Sequence, residues 1–172
     1  KNFWEIWAGG NVSSSQLSTG ILRGGPMMKL PGEFNSYMGF STDSRKKIEF
    51  EVYANKSAGF ENNYSNRNAG IEFSAKPTNY LRLSLNPEFR KSFTDLQYIT
   101  ATNYNSQERY IFGYISRNTF NASIRVNINL SPDLTLQYWG QPFIATGKYS
   151  KYKYITDPMA DEYKERFHIY TD

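Results

Sequence analysis

The chain has 172 residues, 20 Lys plus Arg against 16 Asp plus Glu for a formal charge of +4, a single histidine and no cysteine. A disulfide framework and a thiolate metal site are therefore excluded, the charge is too small and too dispersed for a nucleic-acid surface, and no apolar run reaches the roughly 18 residues of a membrane helix. The one compositional excess is aromatic, with 14 Tyr, 12 Phe and 3 Trp.

Seven strands are predicted from period-2 alternation. The first, Asn2 to Val12, sets Trp4, Ile6 and Ala8 against Phe3, Glu5 and Trp7. The second is Phe34 to Ser41, and the third, Lys46 to Asn55, opposes Ile48, Phe50, Val52 and Ala54 to Glu49, Glu51, Tyr53 and Asn55. Ala69 to Ala75 forms the fourth and Tyr80 to Arg90 the fifth, with Leu81, Leu83, Leu85 and Phe89 opposite Arg82, Ser84, Asn86, Glu88 and Arg90. The sixth, Phe120 to Leu130, alternates without a fault. Its length corresponds to roughly 36 Å extended, or roughly 25 Å of membrane height when tilted about 45°. The seventh, Leu134 to Ile144, is less regular because Trp139 and Phe143 share the face of Gln137 and Gln141. A short helical turn is expected near Met159 to Arg166.

The connections alternate strictly in length. Thr42 to Arg45, Pro77 to Asn79 and Ser131 to Asp133 are tight polar turns, whereas Ser13 to Glu33, Lys56 to Asn68, Lys91 to Thr119 and the tail from Ala145 are long. In an antiparallel meander this places every short turn at one rim and every long loop at the other. That is the layout of an up-and-down transmembrane β-barrel of the bacterial outer membrane, with short periplasmic turns. A soluble β-sandwich binding module is the alternative, since alternating faces alone suit both. Seven strands leave such a barrel unclosed, and the chain opens at Lys1 without a Met or a signal-like apolar segment. The expectation is a fragment of a longer polypeptide, lacking closing strands on the C-terminal side.

Several stretches then carry a resemblance. Leu22-Arg23-Gly24-Gly25-Pro26, Ser41 to Lys47, Leu96-Gln97-Tyr98, Ser131 to Gln137, Gln141-Pro142-Phe143 and the cluster Asp157-Pro158, Ala160-Asp161 and Tyr163 occur in an order and spacing that resemble the C-terminal part of the DUF5916 proteins of Bacteroidota, often labelled carbohydrate-binding family 9 domain-containing proteins. The resemblance implies a sugar-binding-like β-sandwich preceding this segment and a large outer-membrane barrel around it. It brings no catalytic residues, and a glycoside-hydrolysis label would belong to the missing domain.

Within a barrel, Glu49, Glu51, Glu72, Arg82, Glu88, Arg90 and Arg125 are expected to face the lumen as a self-neutralising wall or a selectivity lining. Paired carboxylates could serve as a glycosidase acid and nucleophile, but the interspersed arginines oppose the raised pKa this needs. His168 stands alone and builds no zinc site, and no cofactor or metal is expected. Asp157, Asp161 and Glu162 lack calcium-loop spacing and read as a solvated acidic loop. Arg23, Gly24, Gly25 and Pro26 imply a sharp turn in a long loop that folds into the lumen or docks on a partner. Tyr98, Tyr104, Tyr110, Tyr149, Tyr152 and Tyr154 fall in the long loops, as an interfacial girdle or a sugar-stacking surface, and Lys148, Lys151 and Lys153 are candidates to hold anionic lipopolysaccharide. The expected function is a surface receptor or channel, with glycans as solutes and without covalent chemistry. A structural subunit docking other outer-membrane proteins is the second possibility. Outer-membrane lipid and lipopolysaccharide are the expected surroundings.

Overall fold

The computed structural model describes residues 2–171. Alternation makes strands here because each paired row of side chains lies on one face of the sheet, so the sequence pattern and the ladder register must agree. They do so across β1 (Glu5–Ser13), β4 (Glu33–Ser41), β5 (Ile48–Gly59), β6 (Tyr64–Thr78), β7 (Leu81–Tyr104), β8 (Gln107–Ser131), β9 (Leu134–Gly140) and β10 (Phe143–Ile155). These pair antiparallel in the order β1-β4-β5-β6-β7-β8-β10, and β11 (Phe167–Ile169) continues the sheet beyond β10. A hairpin of β2 (Gln16–Ser18) and β3 (Met28–Leu30) occupies the connection between β1 and β4. The sheet is open among the described residues, with edges at β1 and at β10 and β11.

Two differences from the sequence reading concern length. The segments Lys56 to Asn68 and Lys91 to Thr119, expected as long loops, are mostly strand: β5 and β6 turn through residues 60–63, and β7 and β8 through Asn105 and Ser106. The six tyrosines expected in loops, Tyr98, Tyr104, Tyr110, Tyr149, Tyr152 and Tyr154, therefore all sit in β7, β8 or β10. The period-2 hydrophobic signal ends near Phe89 and Phe120, but Thr, Tyr, Ile and Phe keep the backbone extended, so pairing outlasts the pattern. The predicted turn near Met159 to Arg166 is a single 3-10 turn, Tyr163–Arg166.

The seventh predicted strand is split. β9 and β10 pair with β8 in one continuous register, from Asn129↔Thr135 through Ile124↔Gly140 and Phe143↔Asn121, and the break falls at Gln141 and Pro142. Pro142 lacks an N–H, so only the bond from Ala122 N to its carbonyl remains, at 3.1 Å. Pro87 opens a similar gap between β6 and β7, where pairing lapses between Gly70↔Glu88 and Phe73↔Leu85. Since Pro87 also faces Ala122, both prolines fall on one row.

One face of the sheet is apolar row after row. Ile6, Phe40, Val52 and Ile71 follow one another across β1, β4, β5 and β6, and Ala8, Met38, Ala54, Ala69, Phe89, Phe120 and Ile144 form the next row. No second sheet covers this face among the described residues: Ile6 is 83% exposed, Leu85 43% and Ile144 68%. The layered core of a sandwich is not formed. The small buried core lies instead at the end opposite the short turns, where Leu22, Met28, Leu96, Phe112, Ile155 and Tyr163 meet.

Asn105 and Ser106 both have positive φ, 50° and 62°, as a two-residue hairpin loop of the primed type requires. Serine tolerates that conformation poorly and glycine readily. Ser106→Gly is expected to stabilise the hairpin by about 1 kcal/mol, measured as slower amide exchange at Tyr104 and Gln107.

Candidate functional site

The polar face is built from the opposite side chains of the same strands. Its central row runs Trp7, Gly39, Tyr53, Gly70, Glu88, Asn121 and Phe143. Aromatic rings lie over the neighbouring glycines: a Cβ on Gly39 would collide with the Trp7 ring, and one on Gly70 would fall 2.5 Å from that of Tyr53. Because Gly70 leaves room, the Tyr53 hydroxyl crosses β6 and donates to Glu88 Oε2 on β7 at 3.0 Å. Glu88 also accepts from Asn68 Nδ2 at 3.4 Å and pairs with Arg90 at 3.1 Å.

All seven predicted polar-face residues share this surface, but they are sorted by strand. Glu49 and Glu51 lie on β5 and Glu72 on β6, with Glu51 directly opposite Glu72. Arg82 and Arg90 lie on β7 and Arg125 on β8. Arg82 and Glu49, 4.0 Å apart, bridge the divide, Glu88 and Arg90 pair within β7, and Arg82 Nε also donates to Ser74 Oγ at 3.3 Å. Apart from Glu88 on β7, the wall thus has an acidic flank and a basic flank, where the sequence suggested an even mixture. Farther along, Trp139 donates through Nε1 to Ser123 Oγ at 3.2 Å, and a hollow of about 420 Å³ lies among Arg125, Asn127, Gln137, Tyr138 and Trp139.

At the end carrying the small core, the chain ties its first connection to its last. Lys29 Nζ pairs with Asp161 at 2.8 Å, and Lys29 N donates to the Pro158 carbonyl at 2.9 Å. Arg166, 3% exposed, donates to the carbonyls of Ala160, Lys29 and Asp161. Asp161 therefore serves a clamp, and Asp157 Oδ1 accepts from Met159 N within its own turn. The Arg23 to Pro26 turn docks on the same chain. Arg23 lies 4.5 Å over the Tyr98 ring, and a Cβ on Gly25 would meet Tyr110 at 2.5 Å. His168 packs against Tyr154, with ring centroids 5.3 Å apart.

Lys153 corrects the expectation of a lipid-facing lysine trio. It is 1% exposed, donates to Asp95 Oδ1 at 2.6 Å, and shares Asp95 with the Tyr163 hydroxyl, which donates to Oδ2 at 3.0 Å. A bulge in β7 between Thr94 and Gln97 presents Asp95, and a bulge in β10 between Ser150 and Lys153 turns the lysine toward it. Tyrosine-rich alternation from Lys148 to Lys153 masks that bulge, so sequence alone placed Lys153 with Lys151. Its partner Asp95 is distant in sequence and carried no signal of its own.

Burial pushes the Lys153 ammonium below the ordinary lysine range, against the opposing pull of Asp95, and burial followed by the Asp95 charge pushes the Tyr163 phenol far up. Folded Lys153 thus loses its proton before the unfolded chain does, so local stability rises as pH climbs toward 10.5. Folded Tyr163 keeps its proton longer, so stability falls above pH 10. Lys153→Met is expected to abolish the rise and keep the fall, read by proteolysis of the β1–β4 connection across pH. Asp95→Asn strands a buried ammonium and is expected to cost about 3 to 5 kcal/mol. Adding Lys153→Met should recover most of that loss.

No curated protein and no solved structure matches the chain. A family model described as a domain of unknown function, DUF5916, matches residues 17–165, from the β2–β3 hairpin through the 3-10 turn. The chain belongs to the DUF5916 family.

Proposed function

We propose that this chain is part of an outer-membrane β-barrel, its apolar face against lipid and its polar face around a lumen, working as a surface receptor or channel for glycans. The observation that carries the reading is the uncovered apolar face. In water, a patch running across eight paired strands would be an aggregation hazard, whereas in a bilayer it is the required surface. Support comes also from the short turns gathered at one end, residues 42–47, 79–80 and 132–133, and from the single-layer sheet. Closing the barrel requires further strands pairing with β1 and β10, which satisfy the backbone groups that an open edge would expose to lipid.

The polar face favours a solute that is bound or passed rather than transformed. Acidic β5 and β6 facing basic β7 and β8 set up a field across the wall, suited to orienting a polar solute. Trp7, Trp139 and Phe143 among Asn, Gln and Arg supply the apolar faces and hydrogen-bond donors that sugar rings use. The alternative, a subunit docking neighbours through Arg23 to Pro26, has less support because Tyr98 and Tyr110 of the same chain already engage that turn.

The full-length polypeptide is expected to fractionate with outer membranes and to change gel mobility on heating. A soluble, heat-insensitive product would refute the barrel. Leu85→Arg, on the apolar face, is expected to cost about 2 to 4 kcal/mol in membrane-embedded stability. Ser84→Glu, one residue away on the polar face and directly opposite Arg125, should be tolerated. Equal losses for the two variants in urea unfolding from lipid vesicles would contradict the assigned faces.

A further inference from the structure

The apolar face is interrupted by a row of cations, beyond which Val12, Phe34, Ala58 and Phe93 follow. One step beyond Met38, Ala54, Ala69 and Phe89, toward the end with the long connections, the next row reads Ser36, Lys56, Arg67, Lys91 and Asn118. Lys56, Arg67 and Lys91 occupy three adjacent strands, and directly opposed residues stand about 5 Å apart at Cβ. All three are exposed. Among the described residues none belongs to an ion pair, and the Lys56 ammonium lies 5.1 Å over the Phe34 ring. Like charges directly opposite one another destabilise a sheet, so the folded chain gains from any anion that binds there.

The surface beneath them is equally specific. Ala54 and Ala69 face each other between the larger Met38 and Phe89, leaving a trough of about 480 Å³ whose lining includes all three cations. A ligand that fits has phosphates at one end and an aliphatic chain at the other. We propose that Lys56, Arg67 and Lys91 bind the phosphates of an outer-leaflet phosphorylated glycolipid, with an acyl chain lying over Ala54 and Ala69. The proposal rests on the barrel reading, since it needs this face in lipid and this end at the outer leaflet. Lys148 and Lys151, which the sequence pointed to, lie on β10 away from the trough.

The test uses full-length protein extracted in detergent from outer membranes and scored for lipid retained through detergent exchange, by native mass spectrometry. Wild-type protein is expected to keep bisphosphorylated lipid A and to release dephosphorylated lipid A. A Lys56→Gln, Arg67→Gln, Lys91→Gln variant should retain the lipid roughly a hundredfold less, while Lys148→Gln, Lys151→Gln matches the wild type. Displacement by millimolar inorganic phosphate would overturn the lipid assignment in favour of a free anion. Equal retention of phosphorylated and dephosphorylated lipid by the wild type would overturn the role of the cations without any substitution. A heat-modifiable, membrane-inserted protein that keeps no lipid would sink this inference alone. Failure to fractionate with membranes would sink the barrel reading beneath it.

Discussion

The backbone ladder is the constraint on which the rest of the structure depends, because side chains change face at every residue and a slip of one would exchange the two faces wholesale. Register shifts are confined to its margins. Those between Ala75 and Thr78 and between Asn129 and Ser131 sit beside short turns, and those at Thr94 to Gln97, Tyr98 to Thr100 and Ser150 to Lys153 lie beyond the row of Lys56, Arg67 and Lys91. Between these limits the only disturbances are prolines, which remove a bond without moving the register. The band that must keep two unlike faces is regular, and the region released from that demand uses bulges to re-aim side chains.

Those bulges create the buried polar locus. Asp95 and Lys153 come from strands separated by β8, and each strand carries an extra residue where its charged side chain is presented. A buried charge pair is a weak source of stability and a strong source of specificity in a case like this, because only one arrangement of β7, β8 and β10 brings ammonium, carboxylate and phenol together. Tyr163 belongs to the same buried cluster as Leu22, Met28 and Phe112, and burial is the leading cause of both pKa shifts.

Much of the fold was legible because the regular central band of the sheet obeys one rule. Phe120 to Leu130 announces both its faces, and Trp139 and Phe143 were placed with Gln137 and Gln141 from parity alone, where the ladder puts them beside Arg125 and Asn121. Legibility stopped where the rule stopped. From Lys91 to Thr119 apolar residues occur on both faces, and Leu96 and Phe112 are covered by Leu22 and Met28 of the first connection, so hairpin and loop give the same pattern. The polar-face residues were found by alternation, but their separation into acidic and basic strands depends on strand order. Lys56, Arg67 and Lys91 fall in segments expected as loops, and two ladders, β5–β6 and β6–β7, align them.

Every neighbouring pair of long strands from β4 to β9 is also a neighbour in sequence, so most of the sheet can assemble as successive hairpins, each closing a short loop. The clamp is different. The bonds from Lys29 to Asp161 and from Arg166 to Lys29 join residues 132 and 137 positions apart, and closing so long a chain segment is entropically the hardest step. It can form only after the intervening strands have taken their places and brought the first connection over the last. A chain paired one strand out of order would hold a complete set of hairpins and still leave Arg166 with nothing to grasp. The clamp thereby acts as the fold's own completion signal, the contact whose formation reports that all the earlier ones are right.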